Sequence, residues 1–165
     1  MKIAIISDSH DNMMTVKTFL DYAKENKIDQ IIHCGDVTDL ETLKYFSENF
    51  SGKIYLCDGN ADQKFFTPKE VEIFSNIELY NKYGELEIDN LKICFTHYET
   101  MGRNYALMQK YDHVFYGHTH KPWQERIGRT LFSNPGTLAG LFYRASFAVW
   151  DTKTNKLELK ILDRL

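Results

Sequence analysis

The chain has 165 residues, a net charge of −3 and an isoelectric point near 6.1, so it lacks the basic footprint of a standing nucleic-acid partner. That length suits one domain, expected over residues 1–165, burying about 70% of the surface its unfolded form exposes. No apolar run approaches the ~20 residues of a membrane span, and Cys34, Cys57 and Cys94 lack C-x-x-C spacing, which reads as a cytoplasmic protein with buried, reduced thiols.

The first element is Ile3-Ala4-Ile5-Ile6, an apolar run that reads as a strand buried on both faces. It ends at Asp8, with His10 two residues on, at the kind of sheet edge where open α/β folds keep their chemistry. Asn12 can cap a helix whose apolar residues Val16, Phe19, Leu20 and Ala23 follow helical spacing. The next strand is Gln30-Ile31-Ile32-His33-Cys34, ending in Gly35-Asp36. A helix follows from about Asp39, with Leu40, Leu43, Phe46 and Phe50 on one stripe. A third strand, 53–57, runs into Asp58-Gly59-Asn60-Ala61-Asp62. Alternation of strand and helix implies parallel pairing, with all three C-terminal loops at one edge.

Residues 63–77 show no clear period and are expected as loop with a short irregular turn. After that the pattern changes to hairpins. Strands 83–88 and 91–96 flank Asp89-Asn90 and deliver His97. A helix is expected over 103–111 and a short strand over 114–116, ending in Gly117-His118-Thr119-His120. Strands 123–127 and 130–133, the turn Asn134-Pro135-Gly136-Thr137, and strands 145–151 and 156–162 complete the chain. The expected layout is a parallel half followed by an antiparallel half: two mixed β-sheets packed face to face with flanking helices, a four-layer α-β-β-α sandwich.

Seven polar residues end or follow strands: Asp8, His10, Asp36, Asn60, His97, His118 and His120. Imidazole, carboxylate and amide donors in this number exceed one catalytic metal and suit two transition-metal ions sharing a carboxylate. The absence of thiolate argues against a structural zinc site. Each residue also has a structural alternative. Asp36 suits a helix cap, Asn60 a left-handed turn and His97 a sheet edge, whereas two alternating histidines at a strand end repel when protonated unless a metal or carboxylate joins them. His33 and His113 read as hydrogen-bonded strand residues, Arg103 and Arg144 as solvated surface, and Asp62 as orienting the Asn60 loop or closing a turn. Phe65, Phe66, Phe142, Tyr143 and Trp150 read as core or subunit contact, which leaves a homo-oligomer open.

Asp8-x-His10, Gly35-Asp36, Gly59-Asn60-x-Asp62, Thr96-His97 and Gly117-His118-Thr119-His120, in this order, resemble the calcineurin-like metallophosphoesterases. With the Asn134-Pro135-Gly136-Thr137 turn they resemble the small single-domain archaeal and bacterial phosphodiesterase branch. The resemblance implies that Asp8, His10 and His120 hold one metal, Asn60, His97 and His118 the other, and that Asp36 bridges them. It implies manganese or nickel, with iron, zinc or cobalt as alternatives. It also implies hydrolysis of a small phosphodiester, including nucleotides, by in-line attack of a hydroxide held between the metals, with Asp36 and Asn60 at the reaction centre. The alternatives are a phosphomonoesterase and a non-catalytic scaffold of the retromer-subunit type. Two positions depart from the family pattern: Ala61 stands where a protonatable residue is usual, and Tyr98-Glu99 where Gly-His is common.

Overall fold

The computed structural model describes residues 1–62 and 66–165. The first half runs β1 (Lys2–Ile6), α1 (Met13–Glu25), β2 (Gln30–His33), α2 (Leu40–Asn49), β3 (Lys53–Cys57), α3 (Pro68–Val71) and β4 (Ile77–Tyr80). The second runs β5 (Tyr83–Ile88), β6 (Leu91–Thr96), α4 (Glu99–Leu107), β7 (His113–Phe115), β8 (Trp123–Ile127), β9 (Thr130–Asn134), β10 (Ser146–Asp151) and β11 (Lys156–Ile161).

One sheet has the order β11-β10-β1-β2-β3-β4, the other β5-β6-β7-β9-β8. Strand alternation sorts the side chains of β1 into two cores. Ala4 and Ile6 pack under Val16, Phe19, Leu20 and Ala23 of α1 and Leu43 and Phe46 of α2. Ile3 and Ile5 face the other way, against Ile93, Phe95 and Phe115 of the second sheet. Beyond that sheet, Cys94, Val114 and Phe132 meet Ala106 of α4. This is the expected α-β-β-α stack. Ile3, Ile5 and Ile6 are fully buried, each stabilising the fold by ~1.5–3 kcal/mol. The three cysteines are buried and unpaired, and no helix among the described residues is long and apolar enough to cross a membrane.

The second half is not simply antiparallel. Strands β6, β7 and β9 pair in parallel, and β10 and β11 leave that half to join the first sheet, with β10 antiparallel to β1. Parallel pairing requires crossovers, which α4 and the excursion through β8 supply. Consequently His97 and His118, which follow β6 and β7, emerge at the same rim as Asp8, Asp36 and Asn60. The irregular stretch expected over 63–77 lies partly outside the described residues. Its described part contains the short helix α3 and the start of β4, which pairs in parallel with β3. Helix α4 begins four residues earlier than expected. Phe65 lies outside the described residues, Phe66 and Trp150 are core, and Phe142 and Tyr143 are exposed rather than buried.

Candidate metal centre

The loops at this rim approach so closely that two positions must be glycine. A Cβ on Gly59 would overlap Asp36 Oδ1, and one on Gly117 would overlap Ser7 Oγ. Five of the seven candidate residues have left-handed backbones: Asp8 (φ +53°), His10 (+38°), Asp36 (+59°), His118 (+65°) and His120 (+58°). Such conformations cost ~1–3 kcal/mol each and persist only where surrounding bonds enforce them. Here the Asp8 N–H donates to Gly35 O at 3.0 Å and the His10 N–H to Asp36 O at 3.2 Å, while Asp8 O accepts from the Ala139 N–H at 3.0 Å. The Thr137 hydroxyl adds a bond to Asp8 O at 3.1 Å.

All seven side chains converge. His120 Nε2 lies 3.1 Å and His10 Nε2 3.8 Å from Asp8 Oδ1. The two nitrogens are 3.4 Å apart, and His10 Nε2 is also 3.8 Å from Asp36 Oδ2. His97 Nε2 stands 3.4 Å from Asp36 Oδ2, 3.1 Å from Asn60 Oδ1 and 3.2 Å from His118 Nδ1. Ligand atoms of Asp8, His10 and His120 lie within 4.8 Å of one another, as do those of Asp8, Asp36 and His97. Asp8 therefore reaches both groups, as Asp36 does.

The hydrogen bonds around this cluster leave its inner atoms as lone pairs. His97 Nδ1–H donates to Cys34 O at 2.8 Å and His120 Nδ1–H to Leu141 O at 3.2 Å, so each Nε2 turns a lone pair toward a carboxylate. The carboxylates are oriented in the same way. The Ala61 N–H holds Asp36 Oδ1 at 2.8 Å and the His118 N–H holds Asp8 Oδ2 at 3.1 Å, leaving Asp36 Oδ2 and Asp8 Oδ1 to the imidazoles. With the imidazoles neutral, Asp8 Oδ1 is buried and receives no hydrogen bond among the described residues, an orphan of the kind that a bound ion explains. Lone pairs facing lone pairs need a positive charge between them, a proton on an imidazole or a metal ion, and this donor set fits divalent transition metals.

The ionisation of the cluster reflects the same demand. Burial favours neutral Asp8, but hydrogen bonds to His10 and His120 and the charge of His97 outweigh it and hold the carboxyl well below its usual range. Burial likewise opposes ionised Asp36, and bonding and charge from His97 lower its pKa. His97 is disfavoured as a cation by burial, yet Asp36 and Asp8 raise its pKa. The hydrogen bond to Asp8 raises that of His120, whereas burial and nearby His97 lower that of His118.

Sequence reasoning undervalued two residues that hold these loops. Asp62 is fully buried and accepts from four backbone N–H groups: Asp36 and Gly59 at 2.8 Å on Oδ2, and Val37 at 2.7 Å and Thr38 at 2.8 Å on Oδ1. It thereby ties the Asp36 loop to the Asn60 loop. Burial pushes its carboxyl pKa up, and the amide donors oppose that shift. His33 accepts from the Gly35 N–H at 3.2 Å and faces Ser9 Oγ at 3.1 Å, joining the loops after β1 and β2. Its position in the hydrophobic strand gave no hint of this. Asn134 anchors the loop of His118 and His120 through Gly117 O at 2.8 Å and Thr119 Oγ1 at 3.0 Å. His113 faces Asn155 Oδ1 at 2.7 Å, Arg103 pairs with Glu99 and Glu125, and Arg144 with Asp163, in keeping with structural or surface roles.

Residues 1–155 match the calcineurin-like phosphoesterase superfamily domain, which covers nearly the whole chain. The chain belongs to that superfamily. Members of the calcineurin-like superfamily use divalent metal ions, in agreement with the donors assembled here. Among similar proteins is phosphodiesterase MJ0936 of Methanocaldococcus jannaschii, 31% identical over 147 residues, 85% of this chain and 86% of that protein. A solved structure of an archaeal phosphodiesterase superposes with a TM-score of 0.87 at 27% identity, over 98% of this chain and 99% of the other. The zinc complex of Vps29 from Entamoeba histolytica shares the fold, with a TM-score of 0.69 at 18% identity over 98% and 99% of the two chains.

Proposed function

We propose that this calcineurin-like protein is a metal-dependent phosphodiesterase acting on small phosphodiesters. Asp8, His10, Asp36, Asn60, His97, His118 and His120 would hold two divalent cations, with manganese or nickel as the preferred metals. The observation that carries this reading is the lone-pair arrangement of His97 Nε2, His120 Nε2, Asp8 Oδ1 and Asp36 Oδ2, each held facing inward by a backbone bond on its other atom. A scaffold of the Vps29 type is less well supported, because similarity to the archaeal phosphodiesterases is higher in both sequence and shape.

Two cations bound there would supply Lewis acidity to the phosphoryl oxygens and acidify a nucleophilic water. The chain's own part is to fix the donors beforehand. Asp36 lies beside a histidine of each group, so its loss, like that of Asp8, affects both. Proton delivery to the leaving group is weakly provided: Ala61 has no proton to give from its side chain, and His118 is itself among the candidate metal ligands.

Two measurements test this. Bis(4-nitrophenyl) phosphate should be hydrolysed by protein loaded with manganese or nickel, and chelation should stop the reaction until metal is returned. Asp36→Asn should lower turnover by more than about 100-fold, beyond the usual effect of outer-sphere partners, with cooperative unfolding preserved. Absence of metal-dependent hydrolysis in the wild type would exclude the reading. Across a series of aryl and alkyl esters, turnover should fall steeply as leaving-group pKa rises. A flat series would show that a proton donor exists after all.

A further inference from the structure

Two aromatic rings stand against the imidazoles, one beside each donor group. Phe142 is 91% exposed, with its ring centroid 5.4 Å from that of His120 at an interplanar angle of 55°. Its backbone is left-handed, φ +65°, a conformation that a bulky residue rarely adopts. The loop that carries it is firmly attached to the site. The Asn12 side-chain amide donates to Ala139 O at 2.9 Å, the Ala139 N–H to Asp8 O at 3.0 Å, and His120 Nδ1–H to Leu141 O at 3.2 Å. A phenyl ring left in water on a strained but anchored loop gains nothing for the fold, and its position has to be explained by what it meets. Tyr98 provides the counterpart. Half-buried at the N-terminus of α4, its ring lies 5.2 Å from that of His97 and 5.1 Å from that of His118, edge-on to both.

Resting on the phosphodiesterase reading, we propose that Phe142 and Tyr98 are the walls of two substituent subsites and that the preferred substrate is a phosphodiester with a planar aromatic group on each ester oxygen. A phosphoryl group among the seven donors carries one organic substituent toward each wall when it is a diester, whereas a monoester leaves one wall bare. Stacking on an exposed aromatic ring is tolerant of the detailed identity of the flat group, so aryl esters and nucleosides fall in the same class.

The test compares bis(4-nitrophenyl) phosphate with methyl 4-nitrophenyl phosphate, which share a leaving group and differ in the second substituent, on manganese-loaded protein. Phe142→Ala and Tyr98→Ala should each raise KM for the bis-aryl ester about tenfold, ~1.4 kcal/mol, with kcat nearly unchanged. Phe142→Tyr and Tyr98→Phe should restore it. On the methyl ester one of the two penalties should vanish, and the variant that loses it identifies the wall for the second substituent. Independently of turnover, calorimetry should show diphenylphosphinate binding Phe142→Ala about tenfold more weakly than wild type, and dimethylphosphinate binding both alike. Equal penalties on the two esters, or losses confined to kcat, would overturn the proposal. So would a smaller particle mass for Phe142→Ala in light scattering, which would assign the ring to a contact between copies. Failure of wild type to hydrolyse either ester, with phosphinate discrimination intact, would instead overturn the phosphodiesterase reading alone.

Discussion

The inner and outer donors of the cluster are built in differently. His97 is fully buried, its outer nitrogen is bonded to Cys34 O, and Asp62 fixes the loops of its partners Asp36 and Asn60 through four amides. His10 and His120 keep 22% and 10% of their side-chain surface, and His10 sits on the loop that leads into α1. Each donor group pairs inner residues with outer ones: Asp8 and His97 are fully buried and set by the fold, whereas His10 is half-buried and Asn60 and His118 are exposed toward the approaching substrate.

The largest test of this contrast is Asp62→Asn. The amide offers one acceptor oxygen where the carboxylate offered two, so buried N–H groups around Asp36 lose their partners. A stability loss of ~2–4 kcal/mol is expected, read from the denaturation midpoint, with turnover falling as well although Asp62 is not among the candidate ligands. A neutral result would mean that the loops are held without it.

Next in size is the pair His97→Ala and His10→Ala. Both should impair turnover, but only His97→Ala empties a fully buried site and leaves the Cys34 carbonyl to the Ser7 hydroxyl alone, for a cost of ~1–3 kcal/mol, against less than ~0.5 kcal/mol for His10→Ala. Equal destabilisation would remove the distinction between inner and outer donors.

The smallest effect concerns His33, whose pKa burial pushes down to about 3 from the usual 6.5 of a histidine. The folded protein then binds fewer protons than the unfolded chain between these values, so this contribution is complete above pH 6.5 and is lost as the pH falls toward 3. Metal-free wild type should lose ~1.5 kcal/mol more than His33→Gln between pH 6.5 and pH 5, the slope rising toward ~1.4 kcal/mol per pH unit as the unfolded chain becomes fully protonated. Parallel pH profiles for the two proteins would show that His33 carries no such burden.

How far the sequence foretold these features depended on whether the cause was local. Val16, Phe19, Leu20 and Ala23 marked the buried face of α1 because helical period is a property of neighbouring residues. The seven donors were recognisable because each follows a strand and several follow glycine. Helix α4 was displaced because Gly102 argues against a helix interior, yet it packs there against Phe132 and Thr96, a tertiary reason. Strand β4 was hidden by its shortness and by Glu78 within it. The parallel pairing of β6, β7 and β9, and the clamps formed by Asp62 and His33, depend on partners remote in sequence or on backbone amides that no residue pattern displays. The same is true of Phe142, whose type suggests burial and whose position contradicts it.

The placement of β10 beside β1 governs how the protein comes into being. During vectorial synthesis the strand that leads to Asp8 emerges well before β10, and its flank opposite β2 stays open until residues 146–151 have left the ribosome. Throughout that interval the nascent chain exposes a long apolar edge of the sort that chaperones recognise. Completion of the rim is thus coupled to translation of a segment that contributes no donor to it.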